Sequence, residues 1–318
     1  MAKIILDFEK KIYDLEARIG ELKTSSELSG YSVDAEVESL SQKLNELIRE
    51  TFSNLSRWQR VQLARHPDRP YTLDYIQRII TDWVELHGDR QFGDDKSIIG
   101  GIGLLDGMGV MIIGHQKGRN VKENMKRNYG MPHPEGYRKA LRLMKMAEKL
   151  KKPVITIIDT PGAYPGIEAE ERGQSEAIAR NLLEMSRLRT PVINMVIGEG
   201  ASGGALGIGI GDRLLMLENT WYSVISPEGC ASILLRDASK AKEAAEAMRV
   251  TAQDMLELGV ADRIIEEPLG GAHRHYDETA LRVRQVLSEE LKQLTRLSTE
   301  ELLKRRYKKI AAIGVYSE

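Results

Sequence analysis

Apolar residues recur every three or four positions through the first part of the chain, and charged residues fill the positions between them. This period predicts two amphipathic helices separated by a break at Ser29–Gly30. Each apolar seam is narrow, which suits a helical hairpin, docking on a partner, or an ordinary pair packed on its own domain. The seam residues are Ile12, Leu15, Ile19 and Leu22, followed by Val33, Val37, Leu40, Leu44, Leu47 and Thr51.

A proline-containing break at 66–70 precedes a change of period. Thr72 is a candidate N-cap for a further helix with one apolar face. Two short apolar runs, 97–105 and 109–116, then flank Asp106–Gly107, a dipeptide typical of a hairpin turn. The apolar face of the helix is formed by Leu73, Ile76, Ile79, Ile80 and Trp83.

Two later runs, 153–159 and 191–198, are apolar at nearly every position, as in strands buried on both faces. They alternate with helical patterns, one opening at Pro134 and one running from Ala177 to Met185. This alternation predicts an α/β layer with parallel strands. The remaining predicted elements are a helix over 239–258, a strand over 260–265, and helices from Leu281, with a capping box at Ser298 and Glu301.

Length and composition limit the class of protein. The chain has 318 residues, enough for about two domains or one large domain with additions. A net charge of −1 argues against a protein that coats nucleic acid, and no apolar run is long enough for a membrane span or a signal peptide. Cys230 is the single cysteine, which excludes a disulfide framework or a multi-cysteine zinc ribbon and fits a reducing cytoplasm.

Positive charge is concentrated between residues 117 and 152. Twelve lysines and arginines in this segment stand against three glutamates. A charge run of this kind is either a solvated face or a site for phosphates or an acidic partner. The sequence leaves both interpretations open.

Glycine is concentrated in one segment, residues 198–211, which is a candidate for a catalytic site. Seven of the fourteen residues from 198 to 211 are glycine, and they follow a buried strand and enter a helix. The first amides of a helix are free donors at its positive end, so Gly203 and Gly204 could present them to a developing oxyanion. Close packing of bare backbone is the alternative explanation.

Other motifs are less well supported. Gly200-Ala-Ser202-Gly-Gly204 matches the G-x-S-x-G elbow of serine hydrolases, but only His273 and His275 follow it. Asp159-Thr-Pro-Gly lacks an accompanying P-loop, which excludes nucleotide hydrolysis. No H-E-x-x-H or C-x-x-C occurs, so no metal site is predicted.

Taken together, the motifs resemble a known family over essentially the whole chain. Three segments resemble the crotonase-like superfamily in order and spacing: Gly198–Asp212, Ser223–Gly229 and Arg249–Arg263. Four more are similar to the carboxyltransferase alpha family of multi-subunit acetyl-CoA carboxylase in bacteria and plastids: Asp89–Asp95, Gly114–Arg119, Asn128–Tyr137 and Asp159–Gly166.

The resemblance implies a crotonase-like α/β fold with repeated ββα units. It implies a helical docking region at 1–70, a carboxyltransferase domain at 71–270 and a C-terminal helical extension at 271–318. The implied reaction moves a carboxyl group from N-carboxybiotin on a carrier protein to acetyl-CoA, giving malonyl-CoA for fatty acid synthesis. Backbone amides stabilise the two enolate oxyanions, and the biotin anion itself can take the proton, so no dedicated side-chain base is expected.

The same resemblance implies the site residues and partners. Gly203 and Gly204 would form the oxyanion hole for carboxybiotin, and Gly162 or Ala163 would supply a second amide. A zinc-ribbon beta subunit would complete the active site in an α2β2 assembly, with the biotin carboxyl carrier protein and biotin carboxylase as further partners. ATP would be used only by biotin carboxylase, and the location would be the cytoplasm, or the plastid stroma for a plastid-encoded chain.

A second class of function stays open on the residues alone. The chain could be a stand-alone crotonase-like acyl-CoA hydrolase or isomerase that uses Ser202 or a glutamate such as Glu228. The long N-terminal helical seam favours the subunit interpretation, because a self-sufficient enzyme needs no such docking surface.

Overall fold

An eight-stranded mixed sheet lies at the centre of the computed structural model, which describes residues 4–29 and 33–314. The strands are β1 (Thr81–Glu85), β2 (Ile98–Leu105), β3 (Met108–His115), β4 (Val154–Thr160), β5 (Val192–Ala201), β6 (Arg213–Leu217), β7 (Trp221–Ser223) and β8 (Arg263–Ile265). Their order is β1-β2-β3-β4-β5-β6-β8, and β7 pairs with the end of β5.

The described α-helices surround this sheet, and short 3-10 or π turns occur at Asp7–Glu9, Asn128–Gly130, Ala231–Leu235 and Ala238–Lys240. The helices are α1 (Lys10–Ser29), α2 (Asp34–Ser53), α3 (Arg57–Ala64), α4 (Thr72–Ile79), α5 (Val121–Lys126), α6 (Pro134–Lys149), α7 (Ile167–Glu171), α8 (Gln174–Ser186), α9 (Ser202–Leu206), α10 (Pro227–Cys230), α11 (Ala241–Met248), α12 (Ala252–Glu257), α13 (Tyr276–Leu294) and α14 (Thr299–Ala311).

The predicted hairpin and buried strands are confirmed. β2 and β3 pair antiparallel around Asp106 and Gly107, whose φ values of 50° and 79° are those of a primed hairpin turn. From β3 to β8 the neighbouring strands are parallel, and every residue of β4 and β5 is buried. The carboxyl ends of β3, β4 and β5 therefore share one edge of the sheet, where α/β proteins place ligand sites.

Helices cover both faces of the sheet. One face packs under α4 and α13, with Ile155 and Ile157 of β4 pointing towards them. The other packs under α6 and α8, with Val154 and Ile158 pointing the opposite way. Successive residues of β4 therefore enter two different cores. This is why the apolar run at 153–159 has no polar face.

The predicted helix over residues 72–83 is wrong at both ends. Tyr71, not Thr72, is the N-cap, and Thr72 is buried with its hydroxyl donating to His115 O at 2.5 Å. The helix ends at Ile79, and Trp83 lies in the edge strand β1. Gly101 of β2 makes room for the Trp83 ring, since a Cβ at 101 would lie 2.8 Å from it. Tertiary pairing therefore outweighs the helical period.

Two further predictions need correction. The helix over 239–258 is interrupted between α11 and α12, because Arg249 has a φ of 52° and Thr251 starts a new N-cap bonded to Asp254. A backbone bond from Tyr222 N to Val250 O fixes this break against the sheet. At the last helix Ser298 accepts from Glu301 N at 3.2 Å, but the Glu301 carboxylate pairs with Arg305 instead of closing a capping box.

The N-terminal helices pack on each other and on the turn before α13. Ile12, Ile48 and Phe52 are buried in a small cluster of their own, Ile19 is buried as well, and the other seam residues are half-buried. The predicted break at Ser29–Gly30 lies partly at residues 30–32, outside the described residues. Buried Glu9 binds His273 Nε2 at 2.9 Å, which ties the start of the chain to the C-terminal region.

Residues 57–69 belong to the packing of the sheet. Val61 and Ala64 of α3 share a buried cluster with Ala201 and Trp221. Arg69 is fully buried, donates to Ile197 O at 2.5 Å and pairs with Glu267. Packing is thus continuous across residue 70, while the functional division at that residue stays a prediction.

Within the described residues, no helix combines the length and apolar character needed to cross a membrane.

The C-terminal helix α14 is held by one buried arginine. Arg306 is fully buried, binds Asp212 at 2.9 and 2.7 Å, and donates to three main-chain carbonyls. We expect Arg306→Ala to lower the free energy of unfolding by about 3–5 kcal/mol, because Asp212 would remain as a buried, uncompensated charge. Urea unfolding monitored by circular dichroism measures this change.

Arg305→Ala is the matched control. Arg305 is exposed and pairs with Glu301 one turn earlier, so its loss should cost less than about 1 kcal/mol. Equal effects of the two substitutions would contradict the role given to Arg306.

Candidate active site at the carboxyl edge of the parallel strands

The pairing of β4 with β5 is irregular just before the glycine-rich turn. Ile158 lies opposite Val196 and Thr160 opposite Gly200, so two steps along β4 match four along β5. The additional residues form a bulge at 197–199. Bulges bend the strand that contains them and often re-aim residues beside active sites. This one directs the end of β5 towards β7 and into α9.

Side chains satisfy the backbone groups that the bulge frees. Arg69 Nε donates to Ile197 O, and Glu199 N donates to Asp159 Oδ1 at 3.0 Å. Gly198 has no room for a side chain, because a Cβ there would lie 2.8 Å from the Asp159 carboxyl carbon. Glycine is therefore required at this position by packing.

A chain of buried and half-buried charged side chains runs along the same edge. Lys117 Nζ lies 2.7 Å from Asp159 and 2.9 Å from Glu199. Arg65 binds the other oxygen of Glu199 at 2.6 Å and reaches Glu228 of α10, also at 2.6 Å. Cations and carboxylates thus alternate from the end of β3 to α10.

The electrostatics of these ion pairs keep Glu199 and Lys117 ionised. Burial alone would raise the pKa of Glu199, but the charges of Lys117 and Arg65 hold it below its usual range. Burial would likewise lower the pKa of Lys117, yet Asp159 and Glu199 raise it. Neither Glu199 nor Lys117 is therefore poised to exchange protons near neutral pH, so these side chains support the site instead of acting as an acid or base.

The predicted oxyanion residues come together at this edge. α9 is only five residues long, and Gly204 in it packs directly on the Gly162–Ala163 backbone: a Cβ at 204 would lie 2.6 Å from Ala163 N. Gly203 is different, because a Cβ there would meet only Ile178, at 3.6 Å. Packing thus explains the glycine at 204 but not the one at 203.

The turn at 160–164 carries Gly162 and Ala163, the two candidates for the second donor amide, and its hydrogen bonds favour one of them. Gly162 has a φ of 151°, which a side chain rarely allows, and its N–H donates to Thr160 Oγ1 at 3.1 Å. Thr160 Oγ1 in turn donates to Gly162 O at 2.7 Å. With the Gly162 amide engaged, Ala163 is the better candidate for a donor to a ligand. Gln174 fixes the turn by donating to Tyr164 O at 2.9 Å.

His115 lies buried behind these turns. Its Nδ1 accepts from Asp159 N at 3.4 Å, and its Nε2 has no hydrogen-bond partner among the described residues. Burial, with the nearby Lys117 charge adding to it, lowers the pKa of His115 to about 3. The imidazole is therefore neutral at physiological pH.

Ser202 and Glu228 do not form a hydrolase site. Ser202 is exposed, with a φ of 58° similar to a strained nucleophile elbow, but no histidine of the described residues hydrogen-bonds to it. Glu228 is bound by Arg65, and although burial would raise its pKa, that hydrogen bond holds the pKa below its usual range. A general base acting near neutral pH needs the opposite shift.

One group of potential metal ligands occurs in the described part of the chain: Glu9, His66 and His273, whose ligand atoms lie within 4.8 Å of one another. Both ring nitrogens of His66 already contact main chain, Ile4 O and Asp68 N, each at 3.1 Å. His273 Nε2 is bound to Glu9. His273 Nδ1 lacks a hydrogen-bond partner among the described residues, but the other ring nitrogens are engaged, so the group fits a structural bridge better than a metal centre.

The basic segment 117–152 is in large part structural. Five of its twelve cations form ion pairs with carboxylates from other elements. They are Lys117, Arg119, Arg138, Lys139 and Lys145, paired with Asp159, Asp74, Asp89, Asp94 and Glu184. The other seven form no ion pair among the described residues, so part of the segment remains a solvated positive face.

Sequence reasoning missed Lys117, Glu199 and Arg65, and it did not connect Asp159 or Glu228 with them. Lys117 lies two residues after β3 and Asp159 is the penultimate residue of β4, and side chains at these strand ends are candidates for a site. Arg65 comes from the end of α3, 134 residues before Glu199 in the chain. No local pattern links these two residues.

Known proteins are similar to this chain over nearly its whole length. Residues 5–314 match the family described as "Acetyl co-enzyme A carboxylase carboxyltransferase-like". The protein named acetyl-coenzyme A carboxylase carboxyl transferase subunit alpha from Chlorobaculum parvum (strain DSM 263 / NCIMB 8327) is 56% identical over 331 residues, covering 100% of this chain and 98% of the relative. Its namesake from Pasteurella multocida (strain Pm70) is 59% identical over 315 residues, covering 99% of each chain.

Solved structures support the same fold at low identity. The chain superposes on a Pseudomonas malonate decarboxylase hetero-tetramer with a TM-score of 0.55 and 22% identity, covering 68% of this chain and 86% of the other. For transcarboxylase 12S the values are 0.54 and 19%, covering 69% of this chain but only 42% of that longer one. At such low identity the superpositions are evidence for the fold alone. They confirm the expected crotonase-like α/β fold.

The neutral, buried His115 generates a pH prediction. The unfolded chain binds a proton on this histidine near pH 6.5, whereas the folded protein does not until about pH 3. Its contribution to stability is therefore present above pH 6.5 and is lost as the pH falls. From about pH 7 to about pH 5, wild type should lose about 2 kcal/mol of unfolding free energy more than His115→Gln.

Urea unfolding of the two proteins at several pH values measures the difference, and the other titrating groups cancel in the comparison. Parallel pH profiles would show that His115 is protonated equally in both states.

Proposed function

The chain belongs to the acetyl-CoA carboxylase carboxyltransferase alpha family, and from this premise we propose how its site takes part in the reaction. The chain is the alpha subunit of the carboxyltransferase, which transfers a carboxyl group from carboxybiotin to acetyl-CoA and so forms malonyl-CoA for fatty acid synthesis. The observation that carries the assignment of the site is the direct contact of Gly204 with the Gly162–Ala163 backbone, beside an open face at Gly203.

The role of this chain's residues follows from that contact. Gly203 and Gly204 present the first amides of α9, which lack acceptors within a helix. The Ala163 amide lies against Gly204 and supplies a further donor. Oriented amides in a site closed to water stabilise negative charge on an oxygen, commonly by about 3 kcal/mol for one donor.

These residues fit the carboxybiotin side of the reaction. When bound, carboxybiotin supplies the carboxyl group and takes up negative charge on its ureido oxygen as that group leaves. The ionised side chains from Lys117 to Glu228 hold the amides in place, and they are not themselves suited to move protons. The proposal therefore needs no side-chain base from this chain.

The rest of the assembly follows from the family. We infer that a zinc-ribbon beta subunit supplies the second oxyanion hole and most of the CoA site in an α2β2 complex. The biotin carboxyl carrier protein delivers carboxybiotin, and ATP is used by the separate biotin carboxylase. A single cysteine agrees with the absence of the zinc ribbon from this chain and with a location in the cytoplasm. The helical region at 1–70 is the proposed docking surface.

Activity should depend on both subunits. We expect no carboxyl transfer from the purified chain and robust transfer after addition of the beta subunit, because this chain carries only half of the site. The reverse reaction, malonyl-CoA with a biotin derivative, provides the assay. Malonyl-CoA turnover by the lone chain, or thioester hydrolysis that disappears in Ser202→Ala, would favour the stand-alone hydrolase instead.

Gly203 is the sharper test of the oxyanion assignment. Gly203→Val adds a side chain beside Ile178 without displacing backbone, so the fold should survive. We expect kcat of the assembled complex to fall by about 10²-fold or more, since the side chain fills the space beside the donor amides. Carboxyl-transfer kinetics and thermal unfolding, measured together, separate these effects.

Gly93→Val is the control, because Gly93 also has open space around its Cα but lies in the loop before β2. It should leave kcat unchanged. Wild-type turnover in a correctly assembled Gly203→Val complex would refute the assignment.

A further inference from the structure

Arg65 connects parts of the site that are distant in the chain. It follows α3 directly and so comes from the N-terminal region assigned to docking. We propose that Arg65 is a positioning residue for the carboxyl-transfer reaction, which holds the bulge of β5 and thereby the Ser202–Gly204 turn. The inference rests on the proposed function and adds to it a residue that no motif indicated.

The contacts of Arg65 use the whole guanidinium group. Its Nε lies 2.6 Å from Glu199 Oε2, its Nη1 lies 2.6 Å from Glu228 Oε1, and its Cζ lies 5.2 Å from the centre of the Trp221 ring. The three partners belong to β5, α10 and β7. A planar fork can bind two carboxylates and face an aromatic ring at once, whereas a lysine ammonium is a single point charge.

Glu199 depends on Arg65 for half of its neutralisation. Its carboxylate is 8% exposed, and its two oxygens are divided between Lys117 and Arg65. Lys117 must also neutralise Asp159, which is buried. Without Arg65, one ammonium would face two buried carboxylates, an arrangement that is unfavourable unless the backbone moves.

The backbone that would move is the part that aims the turn. Glu199 lies inside the bulge and pairs with Trp221 of β7, three residues before Ser202. Gly204 and the Gly162–Ala163 turn are already in direct contact, so a small shift of β5 displaces the donor amides relative to each other. A misplacement of about 1 Å far from the chemistry can reduce a rate 10²-fold.

The same contacts of Arg65 explain the role of Glu228 in fixing α10. Its carboxylate accepts from both Nη atoms of Arg65, at 2.6 and 3.3 Å, and α10 is thereby fixed to β5. Arg65 touches protein groups at every one of these contacts, so its effect on the reaction is exerted through Glu199.

Arg57 provides a matched control on the same helix. It binds Asp254 through Nε and Nη2 at 2.9 and 2.6 Å, and Asp254 lies in α12, outside the turns that carry the donor amides. Arg57→Lys and Arg65→Lys each remove a guanidinium that makes at least two hydrogen bonds, Arg57 to one carboxylate away from the site and Arg65 to two carboxylates behind it.

The experiment measures carboxyl transfer by complexes assembled with the beta subunit. For Arg65→Lys we expect kcat to fall by about 10²-fold with KM for malonyl-CoA changed less than about threefold, because the donor amides are misaligned while CoA binds the other subunit. Arg57→Lys should retain the kcat of wild type. Sedimentation and thermal unfolding verify that both variants assemble and fold.

Two further measurements, a chemical rescue and a substitution of Glu228, distinguish a positioning role of Arg65 from a role in stability alone. Methylguanidinium should restore part of kcat to Arg65→Gly but none to Arg57→Gly. Glu228→Gln should lose less activity than Arg65→Lys, since the amide oxygen still accepts from Arg65. These measurements decide the matter even where Arg65→Lys folds poorly.

Several results would overturn the inference. They are a wild-type kcat in Arg65→Lys, equal losses in Arg57→Lys and Arg65→Lys, no rescue by methylguanidinium, or complete loss in Glu228→Gln. An inactive wild-type complex would instead contradict the proposed function, and this inference with it. Failure of the two ideas is therefore distinguishable.

Discussion

The bulge at residues 197–199 of β5 sets the geometry of the whole site. In a regular parallel pairing, β5 would continue beside β4, and its end would not reach β7 or turn into α9. Two extra residues change that direction at the cost of unpaired backbone groups inside the protein. Arg69 and Asp159 accommodate those groups, and Gly198 allows Asp159 to approach. The bent strand is stable because long-range side chains replace the missing ladder.

A site built from backbone amides has different needs from one built on a titrating side chain. Amides need no pKa adjustment, but their directions must be fixed before the ligand arrives. The charges of buried Glu199 and of half-buried Lys117 and Arg65 fit this need, since each is held ionised by its neighbours. Perturbed pKa values at this edge therefore indicate a rigid support and not an acid or a base.

The glycines of the 198–211 cluster serve separate purposes. Gly198 and Gly204 are fixed by packing, against Asp159 and the Gly162–Ala163 turn, whereas nothing in the described structure crowds Gly203. Close packing thus explains Gly198 and Gly204, and access for a ligand stays the proposed explanation for Gly203. A compact turn and an approachable amide are achieved by adjacent residues.

The sequence alone determined the features that depend on neighbours in the chain. The 97–116 hairpin, the doubly buried strands, the glycine cluster and the family all follow from local pattern and motif. Only the tertiary structure decided features that depend on distant partners. Strand pairing next to Gly101 turned the predicted helical end at Trp83 into β1, and Thr160 engaged the Gly162 amide. Arg65 joined the site because folding brings α3 onto β5, and no periodicity encodes a contact across 134 residues.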